Sequence, residues 1–293
     1  MPGHLNHVVT ITEPDQAQKA VPLVFDSPHS GRFYPADFDY SCPHDALVQA
    51  EDNHVDRLFD HVSAHGAFFL KALFPRTYID VNRAEDDIDP DLLDAPWPHI
   101  AKPSARSHAG IGLIRRIVKP GIPVYSRKLG TDEIRHRIND YYKPYHAALA
   151  QLIRTLHYNF GESWHVNCHS MPSPKYDTNG IYSFYRAPDF VLGDRDGTTC
   201  AADFTYALKE FLQNQGYYVA VNNPYKGVEL VRRYAAPDKG RHSLQLEINK
   251  ALYWDDARGA PNENYAHLQR DLEKMTGFLA SYCLSNLRDI AAD

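Results

Sequence analysis

The chain has 293 residues, of which 43% are hydrophobic and 23% are charged, and its formal net charge is −6. These values are ordinary for a globular protein, and the chain has no block of lysine and arginine, which argues against nucleic acid or an anionic membrane surface as its partner. No apolar run is long enough to span a bilayer, and the N-terminus shows no secretory pattern, so we expect neither a membrane protein nor a secreted one.

Four cysteines are scattered along the chain without a CxxC pair, at Cys42, Cys168, Cys200 and Cys283. This spacing is typical of reduced thiols rather than of a disulfide framework. The sequence therefore predicts a cytoplasmic location.

The first predicted strand covers residues 21–25, a short apolar run that is bounded by turn residues. It stops at Asp26, and His29 follows in a loop. Ligands of open α/β sheets bind just beyond the carboxyl ends of the strands, so His29 is placed to hold one. Taken alone, this histidine could equally cap a turn.

A helix is predicted next, over residues 43–66, and Gly66 is a plausible end for it. Two strands are predicted after it, over residues 67–74 and 77–82. The segment 84–103 is rich in Asp and Pro and has no periodicity, which predicts a long loop. Loops of this length in compact domains are usually functional or disordered.

The longest helical pattern covers residues 131–159, and Pro144 inside it should kink or divide the helix. A short strand then leads directly into His169. The elements predicted for the rest of the chain are a helix after Thr199, strands at 217–221, 228–234 and 243–248, and a closing helix at 262–287.

Strands that alternate with helices predict a three-layer α/β fold, in which a mostly parallel mixed sheet is covered by helices on both faces. No linker-like stretch, repeat or low-complexity segment divides the sequence, so we expect a single domain over residues 1–293. Nothing in the sequence specifies an oligomeric state.

Three predicted strands end in side chains that can bind a metal or move a proton: His29, His169 and Glu247. Between the first two, Asp52 and Asp56 lie one helical turn apart. Two neutral imidazoles, a carboxylate and an open position make up a catalytic zinc site. The metal would activate a water molecule, and a separate carboxylate would accept its proton and pass it to the leaving nitrogen. Glu247 is our candidate for that second carboxylate.

The spacing leaves other interpretations open, because the chain contains no HExxH motif and no compact pair of ligands. A lone histidine at a strand end is more often structural, and a charged pair on a helix usually faces solvent. No rival motif is present, since the sequence lacks G-x-S-x-G, a Walker A loop and a G-x-G-x-x-G turn after a strand. The sequence therefore supports no other catalytic apparatus.

Six motifs occur in order along the chain: DSPHSG, EDNHVDRLFD, RTYIDVNR, NCHSMPS, LGDRDG and LEINKALY. In this combination the sequence resembles the N-formylglutamate amidohydrolase family, roughly from Val21 to the closing helix. That family is similar in fold to zinc carboxypeptidases and zinc muramoyl-alanine amidases. The resemblance implies a zinc-carboxypeptidase-like fold and a hydrolase that acts on a linear amide bond.

The resemblance also implies roles for the side chains at the strand ends. His29 and His169 correspond to the two histidine ligands, and Glu247 corresponds to the catalytic carboxylate. The implied metal is zinc, although sites of this type accept other divalent first-row ions.

The third ligand is implied to lie in the motif EDNHVD. The carboxypeptidase-type glutamate three residues beyond the first histidine is absent, because Arg32 occupies that place. A carboxylate must then come from the helix that follows, where Asp56 is the first choice and Asp52 the second. Glu51 and His54 are the weaker alternatives, expected to face solvent or a neighbouring loop.

The implied substrate is a small N-acyl amino acid, N-formyl-L-glutamate, which is hydrolysed to formate and glutamate. Its two carboxylates need cationic partners, and guanidinium groups suit them because they are rigid bidentate forks. Asn82 and Arg83 resemble the pair that holds the α-carboxylate in carboxypeptidase-like enzymes, although Arg83 could instead pair with Asp80 or with the acidic loop of Glu85, Asp86 and Asp87. The candidates for the side-chain carboxylate are Arg76, Lys226, Arg232 and Arg233.

Two alternatives use the same motifs. The chain could be a zinc peptidase or an amidase for other N-acyl amino acids, because the choice of substrate depends on the size of the pocket. It could also be a non-catalytic binding protein that keeps the pocket without the metal. The resemblance further implies a role in histidine breakdown.

Overall fold

The structure is a computed structural model, and it describes residues 8–172 and 187–290. The strands are β1 (Val9–Thr12), β2 (Leu23–Ser27), β3 (Phe68–Ala72), β4 (Ile117–Lys119), β5 (Ile122–Pro123), β6 (Ser163–Met171), β7 (Phe190–Gly193), β8 (Val219–Val221), β9 (Arg241–Asn249), β10 (Trp254–Asp255) and β11 (Ala260–Pro261). The helices are α1 (His44–Gln49), α2 (Val55–Leu58), α3 (Ala105–His108), α4 (Thr131–Arg137), α5 (Lys143–Phe160), α6 (Ala202–Asn214), α7 (Glu229–Tyr234) and α8 (Tyr265–Ile290).

Seven strands form one mixed sheet in the order β1-β3-β2-β6-β9-β7-β8. The four central strands β3, β2, β6 and β9 run parallel, whereas β1 and the β7–β8 pair run antiparallel to their neighbours in this sheet. The carboxyl ends of β2, β6 and β9 therefore meet at one edge. The prediction of a mostly parallel mixed sheet is confirmed.

Helices cover both faces of this sheet, and β2 shows how the two cores divide. Val24 packs into the core that α4 and α5 cover, whereas Leu23 and Phe25 pack into the core that α6 and α8 cover. Successive side chains of a strand point to opposite faces, so one apolar run contributes to two cores. The predicted three-layer α/β class is confirmed.

The central strands β6 and β9 are apolar on one face and polar on the other. The apolar face carries Trp164, Val166, Cys168, Leu244, Leu246 and Ile248. The polar face carries His165, Asn167 and His169, paired in register with Ser243, Gln245 and Glu247. All of these side chains are buried. Strands buried in a parallel sheet are usually apolar throughout, so the polar face marks a region built for another purpose.

The long helical pattern is one helix interrupted by a π-helical turn. α4 ends at Arg137, the π-helical turn covers Ile138–Tyr142, and α5 begins with Pro144 as its second residue. Proline has no N–H to donate inside a helix, and the change in winding just before it absorbs that loss. The predicted division of the helix at Pro144 is confirmed.

The helix predicted over residues 43–66 is divided into α1, α2 and a 3-10 turn at Val62–His65. Its break lies at His54, whose φ of 57° is in the left-handed region and cannot continue a right-handed helix. Asp52 precedes this break, and Asp56 follows it in α2. The two aspartates therefore do not share a helical face.

The prediction of a strand over residues 77–82 is wrong. The segment forms turns, in which the Tyr78 N–H donates to the Pro75 carbonyl at 3.0 Å. The Asp80 carboxylate also accepts the Asn82 N–H at 3.0 Å. Such local hydrogen bonds compete with strand pairing, and an aspartate can form them where an apolar residue cannot.

The prediction of a strand over residues 228–234 is also wrong, because this segment is α7. Glu229 forms ion pairs with Arg232 at 2.6 Å and with Arg233 at 3.9 Å, at spacings that bring side chains together on a helix. Leu230 and Val231 are buried against the sheet. Tertiary packing thus overrides a local preference for strand.

All four cysteines are buried and free, as their spacing predicts. Across the described residues, no helix combines the length and the apolar character that crossing a membrane requires.

Candidate active site

His29 and His169 meet at the carboxyl edge of the central strands. His29 lies two residues beyond the end of β2, and the centroid of its ring is 4.6 Å from that of His169. The register of β6 and β9 pairs His169 directly with Glu247. The side chains that end three separate strands therefore converge in one buried site.

Asp52 joins the two histidines as a third potential metal ligand. One ligand atom from each of the three residues lies within 4.8 Å of the others. Asp52 Oδ2 is 2.9 Å from His169 Nδ1 and 3.4 Å from His29 Nδ1. The backbone keeps Asp52 in place, because its N–H donates to the His29 carbonyl at 3.1 Å and its carbonyl accepts the Ser30 hydroxyl at 2.8 Å.

Asp56, the first choice for the third ligand, lies apart from this group. Its carboxylate accepts hydrogen bonds from Arg32 at 3.1 and 3.2 Å in a partly exposed pair. The assumption of one continuous helix fails at His54, so the spacing of one turn between the aspartates does not apply. Asp52, the second choice, is the carboxylate beside the histidines.

The two weaker alternatives in the same segment are engaged elsewhere. Glu51 accepts a hydrogen bond from the Tyr34 hydroxyl. The His54 ring packs edge-on against Trp254, with a distance of 4.8 Å between the centroids.

The far nitrogen of each histidine ring is held by an oxygen that can only accept. His29 Nε2 is 2.7 Å from Asp80 Oδ1, and His169 Nε2 is 2.7 Å from Asn167 Oδ1. The contact with the Asp80 carboxylate places the His29 proton on Nε2 and leaves the Nδ1 lone pair of that ring available, whereas His169 Nε2 also lies 3.1 Å from the Asn82 amide nitrogen, so these contacts orient the His169 ring without fixing its tautomer. The buried Nδ1 of His29 has no hydrogen-bond partner in the part of the chain that the structure describes. This donor set fits a cation.

A chain of buried polar side chains supports His169 from behind. The Asn167 amide donates to Asp26 at 2.7 Å, the Tyr145 hydroxyl of α5 donates to the same carboxylate at 2.6 Å, and His165 Nε2 lies 3.1 Å from it. Burial alone would raise the pKa of Asp26, but His165 lowers it below its usual value. The ionised Asp26 fixes the Asn167 amide, which in turn orients the His169 ring.

Arg76 lies between two carboxylates of the site. Its guanidinium is 3.3 Å from Asp52 and 2.9 Å from Asp80. Burial would raise the pKa of both carboxyls, but hydrogen bonds from the histidines and the charge of Arg76 hold each pKa well below its usual value. Both groups therefore stay ionised, as a cation site requires.

The pKa of Glu247 is shifted in the direction opposite to those of Asp52 and Asp80. Burial raises the pKa of Glu247 to about 7. The charge of Asp52 also raises this pKa, whereas the charge of His169 lowers it. Gln245 donates to its Oε1 at 2.8 Å. A carboxyl group with a pKa near neutrality can accept a proton and return it within one catalytic cycle.

A cavity of about 440 Å³ opens beside His29, His169 and Glu247. Its cationic lining consists of Arg76, Arg83, Arg106, Arg115 and Lys226. The sequence analysis missed Arg106 and Arg115, because both lie in segments without periodicity. The signal that the sequence offers for Arg106 and Arg115 is that both are cationic residues between the motifs that contain Arg83 and His169.

The other predicted substrate-binding residues fall in different places. Asn82 and Arg83 line the cavity, and the Asn82 amide oxygen accepts the Leu230 N–H at 2.9 Å. Lys226 also lines it, but its ammonium group pairs with the exposed Asp196 at 2.8 Å. Arg232 and Arg233 line a separate cavity.

A model of the N-formylglutamate amidohydrolase family matches residues 21–254 of the chain. The matched region includes His29, Asp52, His169 and Glu247.

Two curated relatives are named N-formylglutamate deformylase. The one from Pseudomonas aeruginosa is 29% identical over 241 residues, which cover 80% of this chain and 83% of the relative. The one from Pseudomonas putida is 27% identical over 249 residues, which cover 82% and 84%. The solved structure of an N-formylglutamate amidohydrolase from Ralstonia eutropha JMP134 is 45% identical, covers 96% of this chain and 99% of that one, and gives a TM-score of 0.90.

Proposed function

Since this chain belongs to the N-formylglutamate amidohydrolase family, we propose that it hydrolyses N-formyl-L-glutamate to L-glutamate and formate with a divalent metal ion. It is a hydrolase of linear amide bonds. The observation that carries the proposal is the buried group of His29, Asp52 and His169 beside Glu247, at the wall of a cavity lined by arginines. A cytoplasmic location and a role in histidine breakdown are part of the same proposal.

The donor set supports the metal. Two imidazole nitrogens and one carboxylate oxygen, with room for a further ligand, are typical of catalytic zinc sites. His29, Asp52 and His169 would hold the ion, with zinc as our proposal and other first-row divalent ions as alternatives. When bound, the ion polarises the formyl carbonyl group and lowers the pKa of a water molecule.

Glu247 is proposed to carry the proton. Its carboxylate accepts a proton from the attacking water and returns it to the departing nitrogen, for which a pKa near neutrality is suited. Asp80 accepts the Nε2 proton of His29, which leaves Nδ1 of that ring free to bind the ion, and the Asn167 amide oxygen orients the His169 ring at Nε2.

Arg83, with Asn82 beside it, is proposed to hold the α-carboxylate of the substrate. A guanidinium fork fixes a carboxylate in position as well as in direction. A substrate held in this way keeps its formyl carbon close to the reacting groups, which contributes to the rate. Arg76 already pairs with Asp52 and Asp80, so its role is to keep those carboxylates ionised and in place.

The proposal is tested by formate release from the zinc-loaded protein, compared among N-formyl-, N-acetyl- and peptidyl-L-glutamate, with metal content measured on the same sample. We expect stoichiometric metal and fast turnover of the formyl compound only. Faster turnover of the acetyl or peptidyl compound would identify an amidase or a peptidase instead. Trace metal with no turnover would identify a binding protein, because a complete ligand set retains its ion.

Asp52→Ala and Asp56→Ala form a matched pair for the ligand set. Asp52→Ala removes the carboxylate beside the histidines, so metal and turnover should be lost together. Asp56→Ala should keep both, since among the described residues that carboxylate forms an ion pair with Arg32 alone. The opposite pattern would refute the assignment of Asp52.

A further inference from the structure

The cations that line the cavity differ in whether the protein itself neutralises them. Arg76 pairs with Asp52 and Asp80, and Lys226 pairs with Asp196. Arg83 and Arg115 form no ion pair with any described residue, and the Nε atom of each is buried without a hydrogen-bond partner. Arg106 forms no ion pair with a described residue either, but it is exposed, so Arg83, which is buried, and Arg115, which is partly buried, are the two shielded guanidinium groups left to an external anion.

The absence of an ion-pair partner for Arg115 is unfavourable in free energy. Burial and the neighbouring charge of Arg76 lower the pKa of Arg115 to about 9, so the group remains a cation at neutral pH. Arg115 is partly buried, and a cation that is shielded from water without a counter-charge is unfavourable unless a ligand supplies the missing anion. The adjacent Arg116 is different, because it pairs with Asp89 at 2.8 Å.

The backbone around Arg115 is anchored to the metal-site wall. The Leu113 carbonyl accepts the Asp80 N–H at 2.8 Å, and the Leu113 N–H donates to the Asp87 carbonyl at 3.1 Å. Leu113 is fully buried. Arg115 is thus held near Arg83 by the same segment that positions Asp80, and a rigidly placed guanidinium can select its ligand.

The two shielded guanidinium groups, Arg83 and Arg115, match a ligand with two carboxylates. Given the proposed function, on which this inference rests, Arg83 takes the α-carboxylate. We infer that Arg115 binds the side-chain carboxylate and restricts the enzyme to N-formyl derivatives of dicarboxylic amino acids. Arg106 also lines the cavity, but its side chain is exposed. Its charge is therefore not buried in the protein and does not require a bound anion.

The test compares kcat/KM for three substrates that differ by one amide. N-formyl-L-glutamine lacks only the side-chain carboxylate, and N-formyl-L-isoglutamine lacks only the α-carboxylate. For the unmodified enzyme we expect N-formylglutamate to be preferred over N-formylglutamine on the order of 100-fold, as for the loss of one buried charge pair.

Arg115→Met should lower kcat/KM for N-formylglutamate on the order of 100-fold and leave kcat/KM for N-formylglutamine nearly unchanged. The preference for N-formylglutamate over N-formylglutamine should therefore disappear. The preference over N-formylisoglutamine should remain, and Arg83→Met should show the reverse pattern. Arg115→Lys should restore the lost preference in part, because lysine supplies the charge without the fork.

Arg116→Met is the matched control, with the unmodified preference expected. These ratios do not depend on the fraction of enzyme that is correctly folded, so a loss of stability cannot imitate the result. If Arg115→Met slows both substrates equally, Arg115 acts on the reacting group or on the fold, and the inference is overturned. It is equally overturned if only the preference over N-formylisoglutamine is lost.

A binding measurement separates this inference from the proposed function. Calorimetric titration of the zinc-loaded protein with glutarate and with glutaramate needs no turnover. If no substrate releases formate, the proposed function fails, while tighter binding of glutarate that Arg115→Met abolishes still supports the part of the inference that assigns a carboxylate to Arg115. Equal binding of the two compounds to the unmodified protein overturns it.

Discussion

Asp52 and Glu247 share one buried site, yet their surroundings give them opposite proton affinities. Asp52 lies within reach of two imidazole rings and of Arg76, which keep it ionised. Glu247 accepts a hydrogen bond from the neutral Gln245, and burial raises its pKa to about 7. Pairs of carboxyls whose environments separate their pKa values divide into charge holder and proton carrier.

Glu247→Gln tests that division. The substitution keeps the size of the side chain and removes its basicity, so kcat for formate release should fall by about 10² to 10⁴. Zinc content should stay unchanged, because the ligand group of His29, Asp52 and His169 is untouched.

The exposed Glu210 supplies the control, and Glu210→Gln should have the activity of the unmodified enzyme. An active Glu247→Gln protein with full metal content would exclude Glu247 as the proton carrier.

At the scale of elements, the loop after β2 depends on a close approach that a glycine permits. A Cβ atom on Gly31 would lie 2.6 Å from the Leu73 carbonyl oxygen and nearer still to that of Phe74. The Phe33 N–H donates to the Leu73 carbonyl at 2.8 Å and holds the loop against the end of β3. Since His29 lies in this loop, the contact also sets the position of a proposed metal ligand.

Gly31→Ala should therefore push the loop away from β3. We expect a loss of about 1 to 3 kcal/mol in the free energy of unfolding, as for other overpacked sites, together with weaker zinc binding. Urea unfolding and a zinc titration measure the two effects.

Gly130→Ala is the control, because a Cβ there has its nearest neighbour, Asp94 Oδ2, at 3.7 Å and the φ of −71° suits any residue. Equal stability of the two variants would show that the loop yields without cost.

At the scale of the whole molecule, the sheet and α5 enclose titratable groups that must remain neutral. The Nε2 atom of His146 in α5 lies 2.9 Å from the Val81 carbonyl oxygen, and its Nδ1 lies 2.7 Å from the Tyr234 hydroxyl, which donates to the His146 carbonyl at 3.0 Å. Burial, followed by the charge of Arg233, lowers the pKa of His146 to about 3. In the folded state His146 therefore stays neutral at pH values at which the same side chain binds a proton in the unfolded chain.

This difference makes stability depend on pH. The unfolded pKa of a histidine is about 6.5, so the contribution of His146 is complete above that value and falls as the pH is lowered towards the folded pKa. The expected slope is about 1.4 kcal/mol per pH unit for this one group. Urea unfolding of the unmodified protein and of His146→Gln, between about pH 5 and pH 6.5, measures it.

For His146→Gln, the plot of the free energy of unfolding against pH should be shallower by about 1.4 kcal/mol per pH unit. This holds whatever the stability of the variant at neutral pH. Identical slopes would mean that His146 is already protonated in the folded state. This measurement requires no turnover.

Local pattern predicted some elements well and others badly, for identifiable reasons. The strand before His29 and the division at Pro144 follow from apolar runs and from the missing proline N–H, which act within a few residues. The segment 77–82 has strand-forming residues but makes turns through Asp80, and α7 forms where β-branched residues suggest a strand. Local hydrogen bonds outweigh the strand preference in the first segment, and packing of Leu230 and Val231 outweighs it in the second.

The sequence by itself determined the α/β class and the placement of His29, His169 and Glu247 at strand ends, because side-chain periodicity and turn residues act locally. Only the tertiary structure selected Asp52 over Asp56 and brought Arg115 to the cavity. Both outcomes depend on irregular segments, whose paths are set by hydrogen bonds to residues far away in the chain, and no spacing within such a segment records where it will lie.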